Sequence, residues 1–375
     1  MTGSRNQKII LIVLFLLIIY GVGFFQAGWE IRQGERPQIF DLFVEIPTAA
    51  HLRTFENDME NGSWFAQTLE PWMRLLQYLA LRDTGEKAMQ GREGWFFYRP
   101  GVKYLIEPLP NLKRFEAGRD PVPAIVDWRD QLAQRGMHLL LIPAPGKASV
   151  YPQQLTTRAD HANPPVYQHT LELIRQLEQE RVEVINLFDL YAGQTSGDAA
   201  YLAQDTHWSP HGVQLAAQAI AERLIQLEWI KPGNVKYILR PSPMQRLGDV
   251  LIMMSLPLTN RLFQPESVAC MQVVREDTGE LYQDDKSSPL LILGDSFLRI
   301  YERDEPKSAG LISHLAQALS MPLTSIVNDG GASTLVRQEL SRKPELLQNK
   351  QVVIWEFVER DIRFGTEGWL KVPLP

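Results

Sequence analysis

The sequence predicts an α/β fold built on a mostly parallel, doubly wound sheet. Two observations from about residue 120 onward predict it: near-continuous apolar runs of strand length recur, and amphipathic helical segments separate them. Runs without alternating polar residues are typical of strands buried on both faces, and parallel strands need helical crossovers between them.

The predicted elements alternate in order along the chain. Helices are predicted where apolar residues recur at a period near 3.6, and strands where a short apolar run stands between turn signals. One helix has a clear start, because Ser209 is a good N-cap and Pro210 suits the first helical position. The predicted helices are 123–137, 164–182 (beginning at Pro164-Pro165), 209–229, 308–320 and 333–347, and the predicted strands are 138–145, 182–188, 289–295, 323–329 and 351–357.

The domain organisation is predicted from breaks in this rhythm. Residues 1–30 form a cytoplasmic N-terminus and a membrane anchor, and residues 31–90 a connecting region with an amphipathic helix in "SWFAQTLEPWMRLLQYLALRD". Residues 91–375 form the α/β domain, and within it 228–288 interrupt the alternation. This Pro-containing insertion is a candidate lid or cover.

The first thirty residues predict a single-pass anchor. Ile9 to Phe25 is an uncharged apolar run, preceded by Arg5 and Lys8 and followed by Trp29. About 17 to 21 helical residues can cross a hydrocarbon core roughly 30 Å thick. Basic residues before the run favour a cytoplasmic N-terminus and an exported remainder, periplasmic in a diderm bacterium. A cleaved signal peptide is the alternative, although a convincing small-x-small cleavage site is missing.

Composition excludes some functions. The net charge of −6 gives no long-range basic field, so nucleic acid is not an expected partner. Cys270 is the only cysteine, so an intrachain disulfide is impossible and the redox compartment stays open.

A nucleophile is predicted at the end of the strand in "LILGDSFLRIY". Gly294 permits a tight turn, and Ser296 would stand at the carboxyl edge of the sheet, where ligands bind in such folds. Backbone N–H groups at a following helix start could stabilise an oxyanion. Gly-Asp-Ser alone is a weak signal, because Asp and Ser also cap helices.

A base and its orienting acid are predicted in "YLAQDTHWSPHG". A serine hydroxyl needs a base to take its proton, and a third group must hold that base in the correct tautomer. His207 and Asp205 offer both roles in one loop. A metal site formed by Asp205, His207 and His211 is the alternative, but no further ligand cluster is visible, so we expect no metal.

Other candidate residues rank lower. Gly330 and Gly331 in "NDGGAST" could give a second oxyanion donor, because glycine allows close backbone approach. Trp208, Arg299 and Tyr301 could contact a sugar, with burial or a solvated helix face as the alternatives. Glu356 and Arg360 are expected to form a structural ion pair, with substrate contact as the alternative.

Several motifs together resemble a known family. "DTHWS" followed by "GDSF" and "VVIWEFVER", with "GWFFY", "IPAPGKASVYP" and "GDVLIMMSLP", is similar to the SGNH-hydrolase-like domain of alginate O-acetyltransferases of the AlgJ/AlgX type. The similarity spans roughly 91–364 and, with the N-terminal anchor, looks closer to the AlgJ type. It implies that Ser296 carries the acetyl group, that His207 and Asp205 complete the triad, and that the motif order is circularly permuted.

The resemblance also implies partners. The domain would stand in the periplasm, held by a single pass in the inner membrane, beside a membrane-bound O-acyltransferase that passes on acetyl groups derived from acetyl-CoA. It would need no cofactor of its own, and its acceptor would be an exported polysaccharide, alginate or a similar exopolysaccharide. A carbohydrate acetylesterase and a non-catalytic polysaccharide-binding assembly protein are the alternatives. "VVIWEFVERD" lacks the usual oxyanion-hole Asn of SGNH enzymes, which leaves that donor open.

Overall fold

A computed structural model describes residues 5–44, 48–107, 118–159, 166–192 and 199–374. The predicted helix start at Pro164-Pro165 lies outside the described residues. Contacts divide the chain into two compact units, Met1–Asp83 with Ser255–Leu258, and Thr84–Met254 with Thr259–Pro375. The division falls at 83/84, seven residues before the boundary expected from sequence.

The first unit is helical. Its helices are α1 (Arg5–Gln33), α2 (Ala49–Gly62) and α3 (Trp64–Leu81), with a 3₁₀ turn at Gln38–Phe43. The Ser63 hydroxyl caps α3 by accepting from the Ala66 N–H. Among the described residues, one helical segment, Lys8–Gln33, is long and apolar enough to cross a membrane. That segment is compatible with a single-pass anchor.

The second unit carries the sheet. Its strands are β1 (Ala88–Gln90), β2 (Phe96–Tyr98), β3 (His138–Ala144), β4 (Glu183–Val184), β5 (Tyr237–Arg246), β6 (Glu266–Arg275), β7 (Leu290–Gly294), β8 (Thr324–Val327) and β9 (Val352–Val358). Its helices are α4 (Arg99–Ile106), α5 (Pro121–Ala133), α6 (Lys147–Val150), α7 (Pro152–Leu155), α8 (Gln168–Gln179), α9 (Phe188–Ala192), α10 (Pro210–Gln226), α11 (Asp249–Met253), α12 (Thr259–Leu262), α13 (Ser296–Arg299), α14 (Leu311–Leu319), α15 (Leu335–Ser341) and α16 (Asp361–Phe364).

Five parallel strands form the central sheet, in the order β4-β3-β9-β7-β8. Successive residues of a strand point to opposite faces. In β7, Leu290 and Ile292 pack into the core that α10 and α14 cover, whereas Leu291 and Leu293 pack into the core that α5 and α15 cover. Both faces are buried, as the near-continuous apolar runs predict.

The helix predicted at 209–229 forms as α10. The Ser209 hydroxyl accepts from the Gly212 N–H at 3.1 Å, and Pro210 is the first helical residue. A Cβ on Gly212 would lie 2.3 Å from the Ala200 carbonyl oxygen, so glycine lets the first turn pack against the preceding loop. This close packing fixes the end of the loop that contains Asp205 and His207.

The strand predicted at 182–188 is mostly wrong. Only Glu183–Val184 pair with β3, and the chain then turns into α9. The Asn186 side chain accepts from the Phe188 N–H at 3.0 Å, which starts a new helical turn where the apolar pattern alone suggested extended chain.

The insertion at 228–288 contains a long antiparallel ribbon. β5 and β6 pair over ten residues each, from Tyr237 opposite Arg275 to Arg246 opposite Glu266. At the end of this ribbon, Arg246 and Glu266 approach the loop of residues 202–207, as does Asp249 at the start of α11. A role as a cover stays a prediction.

Candidate active site

Ser296 lies at the carboxyl edge of the sheet. It follows the buried strand β7 and is the first residue of the short helix α13, where the Asp295 carboxylate caps the Phe297 N–H at 2.8 Å. Gly294 is needed at the turn, because a Cβ there would lie 2.3 Å from the Glu356 carboxylate. The strand end and the turn together fix the direction of the Ser296 side chain.

His207 joins Ser296 and Asp205. Its Nε2 lies 2.9 Å from Ser296 Oγ, and its Nδ1 lies 2.7 Å from Asp205 Oδ1. The same carboxylate oxygen accepts the His207 backbone N–H at 3.1 Å, which holds the Asp205–His207 pair in one geometry. The imidazole also packs on the Phe297 ring, with centroids 5.0 Å apart. The structure thus brings the three predicted catalytic side chains into one hydrogen-bonded line.

Burial sets the charges of this line. Asp205 is inaccessible and only 4 % of His207 is exposed. Burial alone would raise the pKa of Asp205, but the hydrogen bonds and charges of His207 and Arg246 outweigh it and hold that pKa well below its usual range. Burial would likewise lower the pKa of His207, yet Asp205 and the nearby Asp249 together raise it. His207 is therefore a stronger base than a free imidazole.

Charged side chains hold the loop of residues 202–207, here named the base loop. The Lys147 ammonium donates to the carbonyl oxygens of Leu202, Ala203 and Asp205 at 2.9, 3.0 and 2.6 Å. From the ribbon, the Glu266 carboxylate accepts the N–H groups of residues 203 and 204, both at 2.8 Å. The positive Lys147 thus donates to carbonyl groups of the loop, and the carboxylate of Glu266 accepts from its amide groups.

The insertion also contacts the triad directly. Arg246 Nε donates to Asp205 Oδ2 at 2.8 Å, and the Asp249 N–H donates to the same oxygen at 3.2 Å. The Asp249 carboxylate accepts from the Thr206 N–H at 2.7 Å and lies 3.5 Å from His207 Nδ1. Both carboxylate oxygens of Asp205 are thereby engaged.

Sequence analysis missed these supporting residues. Arg246, Asp249 and Glu266 lie 41 to 63 positions from the residues they bind, and no local pattern predicts such pairings. Lys147 did leave a signal, because it follows the end of a predicted strand at the carboxyl edge of the sheet.

A metal could use part of this cluster. Asp205, His207 and Asp249 offer ligand atoms that lie within 4.8 Å of one another. The 2.7 Å contact from Nδ1 to Asp205 is a hydrogen-bond geometry, so Nδ1 carries the proton that a metal would have to replace. Arg246 adds a positive charge on the other carboxylate oxygen. The donor chemistry thus fits a triad better than an ion.

Two of the three predicted sugar contacts are corrected. Trp208 and Tyr301 are wholly buried: Trp208 packs edge-on against Phe297, and the Tyr301 hydroxyl donates to the Trp208 carbonyl. Arg299 is partly exposed, but its guanidinium is paired with Asp304 and Asp329. Aromatic rings without exposed faces cannot stack on a sugar. Contact between Arg299 and a sugar stays a prediction.

The predicted oxyanion donors are only partly available. Gly330 has the positive φ of 68° expected of a glycine turn. The Gly331 N–H, however, donates to the Asn328 carbonyl at 3.0 Å, so that half of the prediction is corrected. The Asn328 N–H donates to the Gly294 carbonyl at 3.0 Å, which connects this turn to the end of β7. Sequence analysis assigned no role to Asn328, which directly follows the observed strand β8.

The expected ion pair between Glu356 and Arg360 is wrong. Glu356 is buried and accepts the Asp295 N–H at 3.1 Å, and no ion pair joins it to Arg360 within the described ranges. The Arg360 guanidinium instead lies over the Tyr98 ring, 5.2 Å from its centroid.

Comparison with known proteins places the chain in a family. Residues 88–359 match the family described as the SGNH hydrolase-like domain of the acetyltransferase AlgX. A probable alginate O-acetylase AlgJ of Pseudomonas fluorescens is 22% identical over 389 residues, covering 97% of this chain and 89% of the relative. A probable alginate O-acetylase AlgJ of Pseudomonas putida is 26% identical over 284 residues, covering 72% of this chain and 69% of the relative.

Solved structures show the same fold. The O-acetyltransferase domain of Pseudomonas putida AlgJ superimposes with a TM-score of 0.59 at 23% identity, covering 74% of this chain and 92% of that one. Pseudomonas aeruginosa AlgX gives a TM-score of 0.54 at 17% identity, covering 72% and 62%. The predicted SGNH-hydrolase-like fold with a mostly parallel sheet is confirmed.

Proposed function

Because this chain belongs to the family of the SGNH hydrolase-like domain of the acetyltransferase AlgX, we propose that it is an O-acetyltransferase that acetylates an exported polysaccharide. Relatives named alginate O-acetylase support alginate, or a similar exopolysaccharide, as the acceptor. The observation that carries the proposal is the 2.9 Å approach of Ser296 Oγ to His207 Nε2, with Asp205 on the other ring nitrogen.

The first half-reaction loads the enzyme. Ser296 Oγ attacks the carbonyl carbon of the acetyl donor while His207 Nε2 takes the hydroxyl proton. Asp205 keeps the Nδ1 proton in place and stabilises the imidazolium that forms. The tetrahedral intermediate then collapses, the donor's leaving group takes the proton from His207, and acetyl-Ser296 remains.

The oxyanion of this intermediate needs donors. The Ser296 N–H has no hydrogen-bond partner among the described residues, and it stands at the start of α13 beside the reacting oxygen. We assign it as one donor, because a backbone N–H aimed at developing charge is worth several kcal/mol in a site that excludes water.

The second half-reaction transfers the acetyl group. His207 removes the proton from a sugar hydroxyl as its oxygen attacks the acetyl carbonyl. Collapse of the second intermediate forms the sugar ester, and Ser296 Oγ recovers its proton from His207. Attack by water would give acetate instead, so the rate difference between sugar and water separates a transferase from an esterase.

The proposed setting of the reaction rests on the apolar N-terminal helix. The apolar helix is compatible with single-pass attachment, and we propose that the second unit works in the periplasm at the inner membrane. The acetyl group would come from acetyl-CoA through a membrane-bound O-acyltransferase. The triad needs no cofactor, because acyl transfer requires only nucleophile, base and oxyanion donors.

The test combines an activated acetyl ester as donor with alginate oligosaccharides as acceptors. We expect oligosaccharides that gain acetyl units, detected by mass spectrometry, with the wild type and none with Ser296→Ala. Release of free acetate alone, with every acceptor tried, would make the protein an esterase.

A non-catalytic assembly role predicts a different result. In that case Ser296→Ala would restore polysaccharide acetylation in a deletion strain as well as the wild type does. A metal enzyme would instead lose activity to a chelator while Ser296→Ala kept it.

A further inference from the structure

Helix α3 leaves an apolar face uncovered. Large apolar side chains recur on it every three or four residues, a spacing that places them on one side of a helix. Each of them is between 47 and 59 % exposed in the part of the chain that the structure describes. They are here named the apolar stripe: Leu69, Trp72, Met73, Leu76 and Leu79. Single exposed apolar residues are ordinary on a protein surface, whereas a continuous row of them marks a surface that binds another.

The other sides of α3 are polar or packed. Glu70 and Arg74 form an ion pair one helical turn apart, Gln77 is exposed, and Tyr78 is buried. Among the described residues, only the Lys8–Gln33 segment is apolar enough to cross a membrane, so α3 is not a second spanning helix. An apolar side and a polar side along one helix are typical of helices that lie in the plane of a membrane surface.

Hydrogen bonds fix the start of α3 to α1, just after the apolar run of α1 ends. The buried Gln26 side chain donates to the Gly62 carbonyl at 3.0 Å and accepts from the Trp64 N–H at 2.9 Å. It also donates to the buried Glu30 at 2.8 Å, and the other Glu30 carboxylate oxygen accepts the Gln38 N–H at 3.0 Å. Helix α3 therefore begins beside the point at which α1 would leave a membrane.

Aromatic side chains gather at the same junction. The Trp64 ring contacts Phe25 and Trp29 of α1, with ring centroids 5.0 and 6.0 Å away. Phe40 and Phe43, in the 3₁₀ turn that follows α1, are exposed. Tryptophan is enriched at the boundary between hydrocarbon and water. The junction thus has the composition of a membrane interface, and α3 connects it directly to the apolar stripe.

We propose that the apolar stripe inserts into the bilayer surface from which α1 emerges, so that α3 lies in the interface as a second membrane attachment. The inference rests on the proposed single-pass attachment by α1 and is independent of acetyl transfer. The stripe itself carries no charge, so burial of apolar surface rather than attraction to anionic lipid drives the insertion. A zwitterionic lipid therefore suffices.

The test places a nitroxide spin label on the full-length protein in vesicles of phosphatidylcholine. Leu76→Cys and Met73→Cys carry the label on the apolar stripe, in a Cys270→Ala background because Cys270 is the only native cysteine. Relaxation by oxygen, which concentrates in lipid, and by a water-soluble nickel chelate gives the depth of each label. We expect both labels about 5 to 10 Å into the boundary between headgroups and acyl chains.

The matched control is Gln77→Cys, one residue along the helix from Leu76 and about 100° around its axis. Its label should stay accessible to the nickel chelate. Leu14→Cys, within the apolar run of α1, should lie deeper than the stripe and relax with oxygen. All four substituted side chains are exposed, so the variants should fold, which circular dichroism and ester hydrolysis check.

Three results would overturn the inference. Equal nickel accessibility at Leu76, Met73 and Gln77 would leave the stripe to a protein partner instead of lipid. Spin–spin broadening at Leu76 that disappears on dilution with unlabelled protein would assign the stripe to a second copy of the chain. A Leu14 label that lies in water would overturn the attachment by α1 as well, while ester hydrolysis by the same samples would still report on the triad.

Discussion

The two halves of the candidate site are held in different ways. The turn that bears Ser296 directly follows β7, and the sheet provides its contacts. The strand is buried on both faces, Gly294 packs closely against the Glu356 carboxylate, and the Asn328 N–H donates to the Gly294 carbonyl. The base loop, in contrast, is held mainly by polar and charged side chains from outside the central sheet, Lys147, Arg246, Asp249 and Glu266.

The difference has a physical reason. A residue at the end of a central parallel strand is positioned by the whole sheet, and the side chains that hold its turn, Asp295 and Glu356, come from the turn itself and from the neighbouring strand β9. Among the described residues, the base loop belongs to no β-ladder, and only the isolated bridge between Tyr201 and Trp208 closes it at its two ends. Its buried N–H and C=O groups therefore need other partners. The nucleophile should therefore tolerate changes in its surroundings that keep the core packed. The base should be sensitive to the loss of single charges far away in sequence.

Removing either reacting group should have the largest effect, whichever way it is held. Ser296→Ala and His207→Ala should each lower turnover of an activated acetyl ester by about 10³-fold or more, because the triad acts as a unit. The double variant should be scarcely slower than either single one. Steady-state rates of nitrophenolate release, with folding checked by circular dichroism, measure this. Multiplicative losses in the double variant would mean that the two residues act independently.

Arg246→Gln should have the next largest effect, because it removes the ion pair between the insertion and Asp205. The buried Asp205 carboxylate loses its ion-pair partner, so we expect about 2 to 3 kcal/mol less stability and about 100-fold lower turnover. Loss of the positive charge should raise the pKa of His207 further. Since only neutral imidazole can accept the Ser296 proton, activity should then fall already at a higher pH as the solution is acidified.

Arg240→Gln is the matched control for this prediction. Arg240 lies on the same ribbon strand, where its guanidinium donates to Gln272 at 3.0 Å. It should change neither the pH profile nor the turnover by more than about twofold, as is typical of surface substitutions. If both variants behaved alike, the ribbon rather than the Asp205 contact would be responsible.

Lys147→Met should have a smaller effect on activity. The carbonyl groups of Leu202 and Asp205 lose their Lys147 donor, whereas that of Ala203 keeps the Phe96 N–H at 2.7 Å. Each buried unpaired acceptor costs about 1 kcal/mol or more. Met fills a similar volume, and Glu266 still holds the amides of residues 203 and 204, so we expect about a tenfold loss of turnover. Thermal unfolding and ester hydrolysis measure the two effects, with the exposed Lys103→Met as control. An unchanged turnover would mean that Arg246, Asp249 and Glu266 fix the loop without Lys147.

The same contrast explains what the sequence could predict. Strands β7, β8 and β9 and helix α10 follow from hydrophobic periodicity and a good N-cap, because these signals are local. Ser296, His207 and Asp205 could be proposed because their roles require particular residue types at strand ends and loops. The residues that hold the base loop could not be predicted in this way, because charged side chains on a ribbon 40 or more residues away leave no local sequence pattern.

The residue types also did not predict which side chains near the triad are buried. Trp208 and Tyr301 were candidates for sugar contact because they flank the triad residues in sequence, yet both are core side chains. The strand expected at 182–188 fails for a related reason. The apolar pattern fits either structure, and the Asn186 side chain decides for a helical turn.

Asp249→Asn should have the smallest effect on turnover and the most specific effect on its pH dependence. Asparagine can still accept from Thr206, so the loop keeps most of its geometry. The substitution removes a negative charge 3.5 Å from His207 Nδ1, and that charge helps to raise the pKa of His207. The pKa should therefore fall, and the variant should keep a larger share of its own maximal rate as the pH drops below neutrality.

This shift is opposite in sign to the one expected for Arg246→Gln, although both residues come from the insertion and both contact Asp205. Rates of ester hydrolysis from pH 5 to 9 for the two variants and the wild type give the comparison directly. If the insertion acted only as a mechanical support, both variants would lose rate without moving the acid limb. Opposite displacements would show that its charges tune the base, with Arg246 lowering and Asp249 raising the pKa of His207.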